Sequence, residues 1–143
     1  MTPADGYNNT LTGDTKFSEA VVSQPDTIVF WAKYVPQDAN DSARVSAFVH
    51  DSINDFRDPM NAASIPHARA SAIRNFRTGG VYKRMAIPFT VLNASVSADY
   101  ILVSFTSSYK AGVGTNNTTL YIDDIALIYN PTLTTGTINP TSY

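Results

Sequence analysis

The sequence predicts an all-β domain, an antiparallel β-sandwich of the jelly-roll type. Apolar residues almost never recur with the period of a helix between capping residues. Short runs instead alternate along the chain with a period of two, and they are rich in β-branched and aromatic side chains. Polar turns, and no helices, separate these runs, which is the arrangement of an antiparallel sandwich.

Composition limits the class of protein. The chain has 143 residues, 43% of them hydrophobic and 15% charged, which suits one domain with a sizeable core. A formal net charge of −2 supplies no field that would gather phosphates, so nucleic acid is not an expected partner. The lack of cysteine excludes disulfides and cysteine metal sites. No apolar run approaches the roughly 20 residues of a membrane span, and residues 1–20 lack signal-peptide features, so no membrane insertion is expected.

The run TIVFWAKYVP at 27–36 predicts a strand that ends at Pro36. Both of its faces are apolar enough to be covered, one formed by Ile28, Phe30, Ala32 and Tyr34 and the other by Val29, Trp31, Lys33 and Val35. A second strand is predicted by ARVSAFVHD at 43–51. Because QDANDS at 37–42 has turn chemistry, the two strands are expected to pair as a hairpin.

Three later stretches complete the predicted sheets. Residues 62–76 are interrupted by Pro66 and suit a loop followed by a short strand better than a helix. The run YKRMAIPFTV at 82–91 predicts one strand, with an apolar face of Met85, Ile87, Phe89 and Val91. The run DYILVSFTS at 99–107 predicts another, with Ile101, Val103 and Phe105 on one face.

The stretch TTLYIDDIALIYN at 118–130 changes phase in its middle. Leu120 and Ile122 share one phase, whereas Ile125, Leu127 and Tyr129 are one residue out of step with them. A β-bulge at Asp123–Asp124 would absorb the extra residue, turn both apolar sets inward and leave the carboxylates at the rim. The alternative is a strand covered on both faces, with one aspartate buried against a cation or against backbone N–H groups.

The two ends lack periodicity and are rich in Pro, Thr and Gly, which is typical of the edges of a segment cut from a longer protein. We expect an N-terminal segment at 1–19 that includes a possible first strand, the sandwich at 20–130, and a linker to a following domain at 131–143.

Several of these pieces resemble a known family. They are WAKYVP (31–36), DSARVSAFVHD (41–51), IPF (87–89), and SSYKAGVG followed by TTLYIDDIALIY (107–129). Together they resemble the "putative carbohydrate metabolism domain" family of exported and surface proteins from gut-type Gram-negative bacteria, over about residues 20 to 130. The resemblance implies a jelly roll like those of carbohydrate-binding modules and a role in glycan use at a secreted, periplasmic or outer-surface location. It supplies no acid/base pair.

A sugar-binding face needs an aromatic plane beneath the ring and polar side chains around it. Trp31 with Lys33, and Tyr82 with Arg84, alternate in register and could build such a platform, while Tyr109 on the SSYKAGVG loop could close one end. The alternative is that Trp31 belongs to the core, as a lone Trp in an apolar run often does, and that the tyrosines are ordinary strand residues.

Catalytic and metal sites have weaker signals. A glycoside hydrolase needs two carboxylates placed across the scissile bond. The candidates are Glu19, Asp51, Asp55, Asp58, Asp123 and Asp124. Most of them have turn-like neighbours, where an aspartate is expected for local backbone hydrogen bonds. His50 and His67 lack zinc spacing. The likeness to jelly-roll modules implies a structural Ca²⁺ near Asp123 or Asp124 as the one conceivable cofactor.

Six of the ten cations cluster along the middle of the chain: Arg57, Arg69, Arg74, Arg77, Lys83 and Arg84. This cluster suits a solvated loop better than a surface that binds acidic glycans or nucleic acid. The sequence therefore predicts a monomeric, noncatalytic glycan-binding or accessory module of a larger exported protein, whose partners are a poly- or oligosaccharide and neighbouring domains. The alternatives are a glycoside hydrolase that uses a pair of aspartates and a structural spacer or adhesin domain.

Overall fold

The computed structural model describes residues 17–110 and 112–130, and these residues form the predicted antiparallel β-sandwich. A short 3-10 helix occupies Ile65–His67. No helix in the described ranges is long and apolar enough to cross a membrane. The strands are β1 (Ser18–Ala20), β2 (Thr27–Val35), β3 (Ala43–His50), β4 (Ala68–Phe76), β5 (Lys83–Pro88), β6 (Thr90–Val91), β7 (Tyr100–Thr106) and β8 (Thr119–Ile128).

The strands form two sheets whose inner faces make the core. The five-stranded sheet has the order β1-β7-β3-β4-β6 and the three-stranded sheet the order β5-β2-β8, with every pair antiparallel. The inner face of β2 is fully buried, as predicted, through Ile28, Phe30, Ala32 and Tyr34. The Phe30 ring meets the Phe105 ring edge-on across the sandwich, with centroids 4.9 Å apart.

The predicted hairpin between β2 and β3 is wrong. The two strands lie in different sheets, and residues 37–42 cross from one sheet to the other. The Arg77 guanidinium donates to the carbonyl oxygens of Ala39 and Asp41. The buried Asp41 carboxylate accepts hydrogen bonds from the Ser42 N–H at 2.8 Å and from the Ser108 hydroxyl at 3.0 Å. Because Arg77 and Ser108 are distant in sequence from residues 37–42, turn chemistry alone could not distinguish a crossover from a hairpin.

The single strand predicted at 82–91 is two strands. β5 ends at Pro88, and β6 pairs with β4 in the other sheet. The change of sheet occurs at Phe89, whose N–H donates to the Asp26 carbonyl at 2.8 Å. Pro88 has no N–H with which to continue a ladder. The inward faces of β5 and β7 agree with the prediction, but Val91 is exposed.

The predicted bulge in β8 is confirmed, one residue further along than expected. Phe30 of β2 lies opposite two residues of β8, Asp124 and Ile125, and Asp124 has a positive φ of 51°. Ile122 and Leu127 consequently both face the core, although they are an odd number of positions, five, apart along the chain. The two aspartates are exposed, which contradicts the buried-carboxylate alternative. The inward placement of Ile125 and Tyr129 was wrong, because they are 53% and 43% exposed.

The outer face of the five-stranded sheet is covered by residues 51–64, here called the strap. Its Phe56 ring packs on Phe48 and stacks on the His50 ring, with centroids 5.6 and 4.3 Å apart. Neutral His50 is held at both ring nitrogens: Nδ1 donates to the Asp51 carbonyl at 2.7 Å, and Nε2 accepts from the Ser18 hydroxyl at 3.1 Å. The strap therefore gives this sheet a second hydrophobic layer.

Replacement of Asp124 tests the bulge. Asp124 has a left-handed backbone conformation, which costs a non-glycine residue about 1–2 kcal/mol and a β-branched residue more. We therefore expect Asp124→Val to lower the free energy of unfolding by about 1–2 kcal/mol. Asp124→Gly should leave it unchanged or raise it. Urea denaturation measures both. Ala126→Val, which adds the same side chain at an exposed β8 position without a positive φ, is the matched control, and an equal loss in that variant would contradict the assignment of the strain to Asp124.

The pH dependence of stability tests the burial of His50. Desolvation lowers the pKa of His50, against the opposing effects of the Asp51 carbonyl and the Asp51 and Asp99 carboxylates. Between the lowered pKa and the unfolded value of about 6.5, the unfolded chain binds more protons, so this contribution to stability falls as the pH drops below about 6.5. Burial raises the pKa of Asp58, which acts with the opposite sign.

We therefore expect His50→Gln to flatten the loss of stability between about pH 7 and pH 5 relative to the unmodified chain. Urea denaturation at a series of pH values checks this, and the contribution of Asp58 cancels in the comparison because both proteins retain it. Parallel curves for the two proteins would show that His50 titrates equally in the folded and unfolded states.

Candidate functional site

The outer face of the three-stranded sheet carries two cross-strand rows of aromatic and charged side chains. In the first row, Trp31 on β2 lies directly opposite Arg84 on β5 and Asp123 on β8. In the second, Lys33 lies opposite Tyr121 on β8, and Tyr82 immediately precedes β5 on the other side. We call this surface the aromatic platform, and its members are Trp31, Lys33, Tyr82, Arg84, Tyr121 and Asp123.

The rings of the aromatic platform are open to solvent. Trp31 is 41% exposed, Tyr82 50% and Tyr121 47%. The Tyr82 and Tyr121 rings approach each other across β2, with centroids 6.4 Å apart, and the Lys33 Nζ lies 5.7 Å from the Tyr121 centroid. Since neighbouring strands are about 4.8 Å apart, each row spans roughly 10 Å. The surface is thus wide enough for a ligand to lie across all three strands.

Strand alternation explains why Trp31 points outward. Its neighbours Phe30 and Ala32 are fully buried, so the residue between them must face the other side of the sheet. The expectation that both faces of β2 are covered is therefore wrong at Trp31 and Lys33, although Val29 on the same outer face is buried. The interpretation of Trp31 as a core residue is also wrong.

The structure brings four of the five predicted ligand-binding residues together: Trp31, Lys33, Tyr82 and Arg84. The fifth, Tyr109, lies on the β7–β8 connection, where its N–H donates to the Ser42 carbonyl at 2.8 Å and the Lys110 Nζ sits 5.4 Å from its ring centroid. Tyr109 is 38% exposed but belongs to neither row. The sequence prediction missed Tyr121, which lies between the inward residues Leu120 and Ile122 and must therefore face outward.

The aspartates proposed for hydrolase chemistry are mostly engaged locally. The Asp51 carboxylate meets the His67 Nδ1 at 2.7 Å, and Asp55 pairs with Arg57 at 3.0 Å. Hydrogen bonding to Arg57 lowers the pKa of Asp55. Asp58 differs, because its withdrawal from water raises the pKa of its carboxyl, while the Ser46 and Ser104 hydroxyls and Arg44 oppose the rise.

The cations predicted as a cluster are dispersed, and three of them hold loops together. Arg69 donates to Gln24 and to the carbonyl oxygens of Ala94 and Val96, and Arg57 and Arg77 make the contacts described above. Arg74, on β4, is exposed. Of the six, only Arg84 belongs to the aromatic platform.

Metal-binding potential is limited across residues 17–110 and 112–130, where no three His, Cys, Asp or Glu side chains gather. Asp123 and Asp124 are adjacent and exposed at the bulge, and the Asp123 Oδ1 accepts the Asp124 N–H at 2.9 Å. A structural Ca²⁺ at these residues stays a prediction.

The aromatic platform can stack and donate hydrogen bonds at the same time. Exposed Trp and Tyr rings offer flat apolar surfaces with large contact areas. Lysine and arginine contribute donors only, and Asp123 contributes an acceptor at the end of the Trp31 row. This combination suits a flat ligand that has an apolar face and a polar rim.

Fold and site together define a two-sheet β-sandwich with a solvent-exposed aromatic outer face. Among solved structures, the chain is similar to a crystal structure described as a "putative glycoside hydrolase" from Bacteroides thetaiotaomicron, with a TM-score of 0.66 and 20% sequence identity. The match covers 80% of this chain and 41% of that chain, so the chain spans about two fifths of its neighbour. At this identity the likeness shows the fold. No protein-family model and no curated protein matches the chain.

Adjacent residues of β2 test the two faces of the sheet. Since Phe30 is fully buried and Trp31 is 41% exposed, we expect Phe30→Ala to lower the free energy of unfolding by about 3–5 kcal/mol. Trp31→Ala should lower it by about 1 kcal/mol or less. Denaturation curves of the two variants provide the measurement. A Trp31→Ala variant as unstable as Phe30→Ala would place this ring in the core.

Proposed function

We propose that the chain is a noncatalytic glycan-binding module of a larger exported or surface protein, and that its ligand lies on the aromatic platform. The single observation that carries this proposal is the grouping of three exposed rings, Trp31, Tyr82 and Tyr121, with charged side chains on one sheet face. Pyranose rings have an apolar C–H face surrounded by hydroxyls, and this platform has the complementary arrangement.

Two further observations support a glycan ligand. The chain shares its fold with part of a protein described as a "putative glycoside hydrolase", which is consistent with a carbohydrate-related role. The resemblance of residues 20–130 implies glycan use outside the cytoplasm as well, and this stays a prediction because no protein-family model matches the chain. An exposed platform of this kind makes few contacts per sugar unit, so we expect weak binding at each site and a gain from display in several copies.

Affinity electrophoresis in native gels that contain soluble polysaccharides tests the proposal. The unmodified chain should be retarded by at least one polymer, and Trp31→Ala should reduce its affinity by at least about tenfold, because a central ring supplies much of the contact area. Tyr82→Ala and Tyr121→Ala should each weaken retention in the same gel. Ligand added in solution should also change the fluorescence of Trp31, which is the one tryptophan of the sequence.

Tyr129→Ala is the matched control, because Tyr129 is also half exposed but lies just beyond the opposite end of β8 from Tyr121. Its retention should equal that of the unmodified chain. No retention on any polymer would contradict the proposal and favour a structural spacer or adhesin domain. Release of reducing sugar that a single Asp→Asn change abolishes would instead favour the glycoside hydrolase.

A further inference from the structure

Two cations of the aromatic platform are free to meet a ligand. Across the described ranges, Lys33 and Arg84 form no salt bridge and donate no hydrogen bond to another described residue. Lys33 instead lies over the Tyr121 ring, a contact that uses no hydrogen-bond acceptor. This distinguishes the pair from Arg57, Arg69 and Arg77, whose donors hold loops together.

Asp123, the acid of the aromatic platform, forms no salt bridge with either cation within the described ranges. Asp123 lies two strands from Arg84, with Trp31 between them, so their backbones are roughly 10 Å apart. One oxygen of Asp123 already accepts the Asp124 N–H. The rows therefore carry two cations and one partly engaged carboxylate, on a chain whose formal net charge is −2. Within the two rows the cations therefore outnumber the carboxylate by one.

The N–H donors of Lys33 and Arg84 indicate whether the glycan is neutral or charged. A sugar hydroxyl both donates and accepts, so it is matched well by Asn and Gln, which also do both, whereas an ionised aspartate only accepts and lysine and arginine only donate. Carboxylate and sulfate groups only accept, and a guanidinium can meet either with two parallel hydrogen bonds. Without a ligand, water hydrates Lys33 and Arg84. An anionic group of a ligand can replace that water and form a stronger, charge-assisted hydrogen bond.

We propose that the aromatic platform recognises an anionic glycan, in which a sugar ring stacks on Trp31 or the tyrosine pair and its carboxylate or sulfate group accepts hydrogen bonds from Arg84 and Lys33. This inference rests on the glycan-binding function proposed above and adds the charge class of the ligand. Because the two cations lie in adjacent rows, successive sugar units of a charged polymer can engage them in turn.

Matched polymers that differ only in charge provide the test. Affinity electrophoresis compares polygalacturonate with its fully methyl-esterified form, and dextran sulfate with dextran. We expect the unmodified chain to bind at least one charged polymer about tenfold more tightly than its neutral counterpart, and added salt to weaken this binding. The carboxylate arm and the sulfate arm identify which anionic group is preferred.

Charge-removing variants locate the effect. Arg84→Gln and Lys33→Gln should each reduce affinity for the charged polymer by about tenfold, a larger loss than either variant shows with the neutral counterpart. Arg74→Gln, an exposed cation of the other sheet, changes the net charge equally and should stay within about twofold of the unmodified chain. Thermal denaturation confirms that each variant is folded.

Three results would overturn the inference. Equal retention by charged and neutral polymers, with Trp31→Ala still losing affinity, would leave the glycan-binding function intact and remove only the charge class. A loss in Arg74→Gln as large as that in Arg84→Gln would show a diffuse electrostatic effect. Absence of retention on all four polymers and on neutral glycans would remove the binding function itself.

Discussion

The register of β8 against β2 is the constraint on which the platform depends. Along β8, Leu120 and Ile122 come before the position opposite Phe30 and Leu127 comes after it, and all three must face the core. The number of positions from Ile122 to Leu127 is odd, which strict alternation does not allow. The extra residue at Asp124–Ile125 reconciles both requirements, because a slip of one residue would otherwise turn one apolar set to water. With Leu120 and Ile122 fixed inward, Tyr121 and Asp123 are fixed outward beside Lys33 and Trp31.

The two sheets differ in what covers their outer faces. The outer face of the five-stranded sheet is closed by the strap, where Phe56 packs on Phe48 and His50, so that sheet has apolar layers on both sides. The three-stranded sheet has the core on one side and the aromatic platform on the other. The proposed binding surface is therefore largely separate from the packed core, and we expect a change at Trp31 to leave the core around Phe30 intact.

Alternation within single strands was readable from the sequence, and contacts between distant segments were not. The two faces of β2, the bulge in β8 and four platform residues follow from a period of two, and the same argument would have found Tyr121. The crossover at 37–42 depends on Arg77 and Ser108, which are remote in sequence, so its polar residues looked like a hairpin turn. The strap has no periodicity at all, because Ile53, Phe56 and Met60 pack as an irregular segment.

The adjacent carboxylates at the bulge also bear on how copies of the chain meet each other. In the described ranges β8 is the edge strand of the three-stranded sheet, and such an edge offers unpaired backbone groups to any passing strand. The irregular turn at Asp124 interrupts that row midway, and two negative charges sit where a second copy would have to align. The bulge and its two charges therefore disfavour pairing of this edge with the same edge of a second copy.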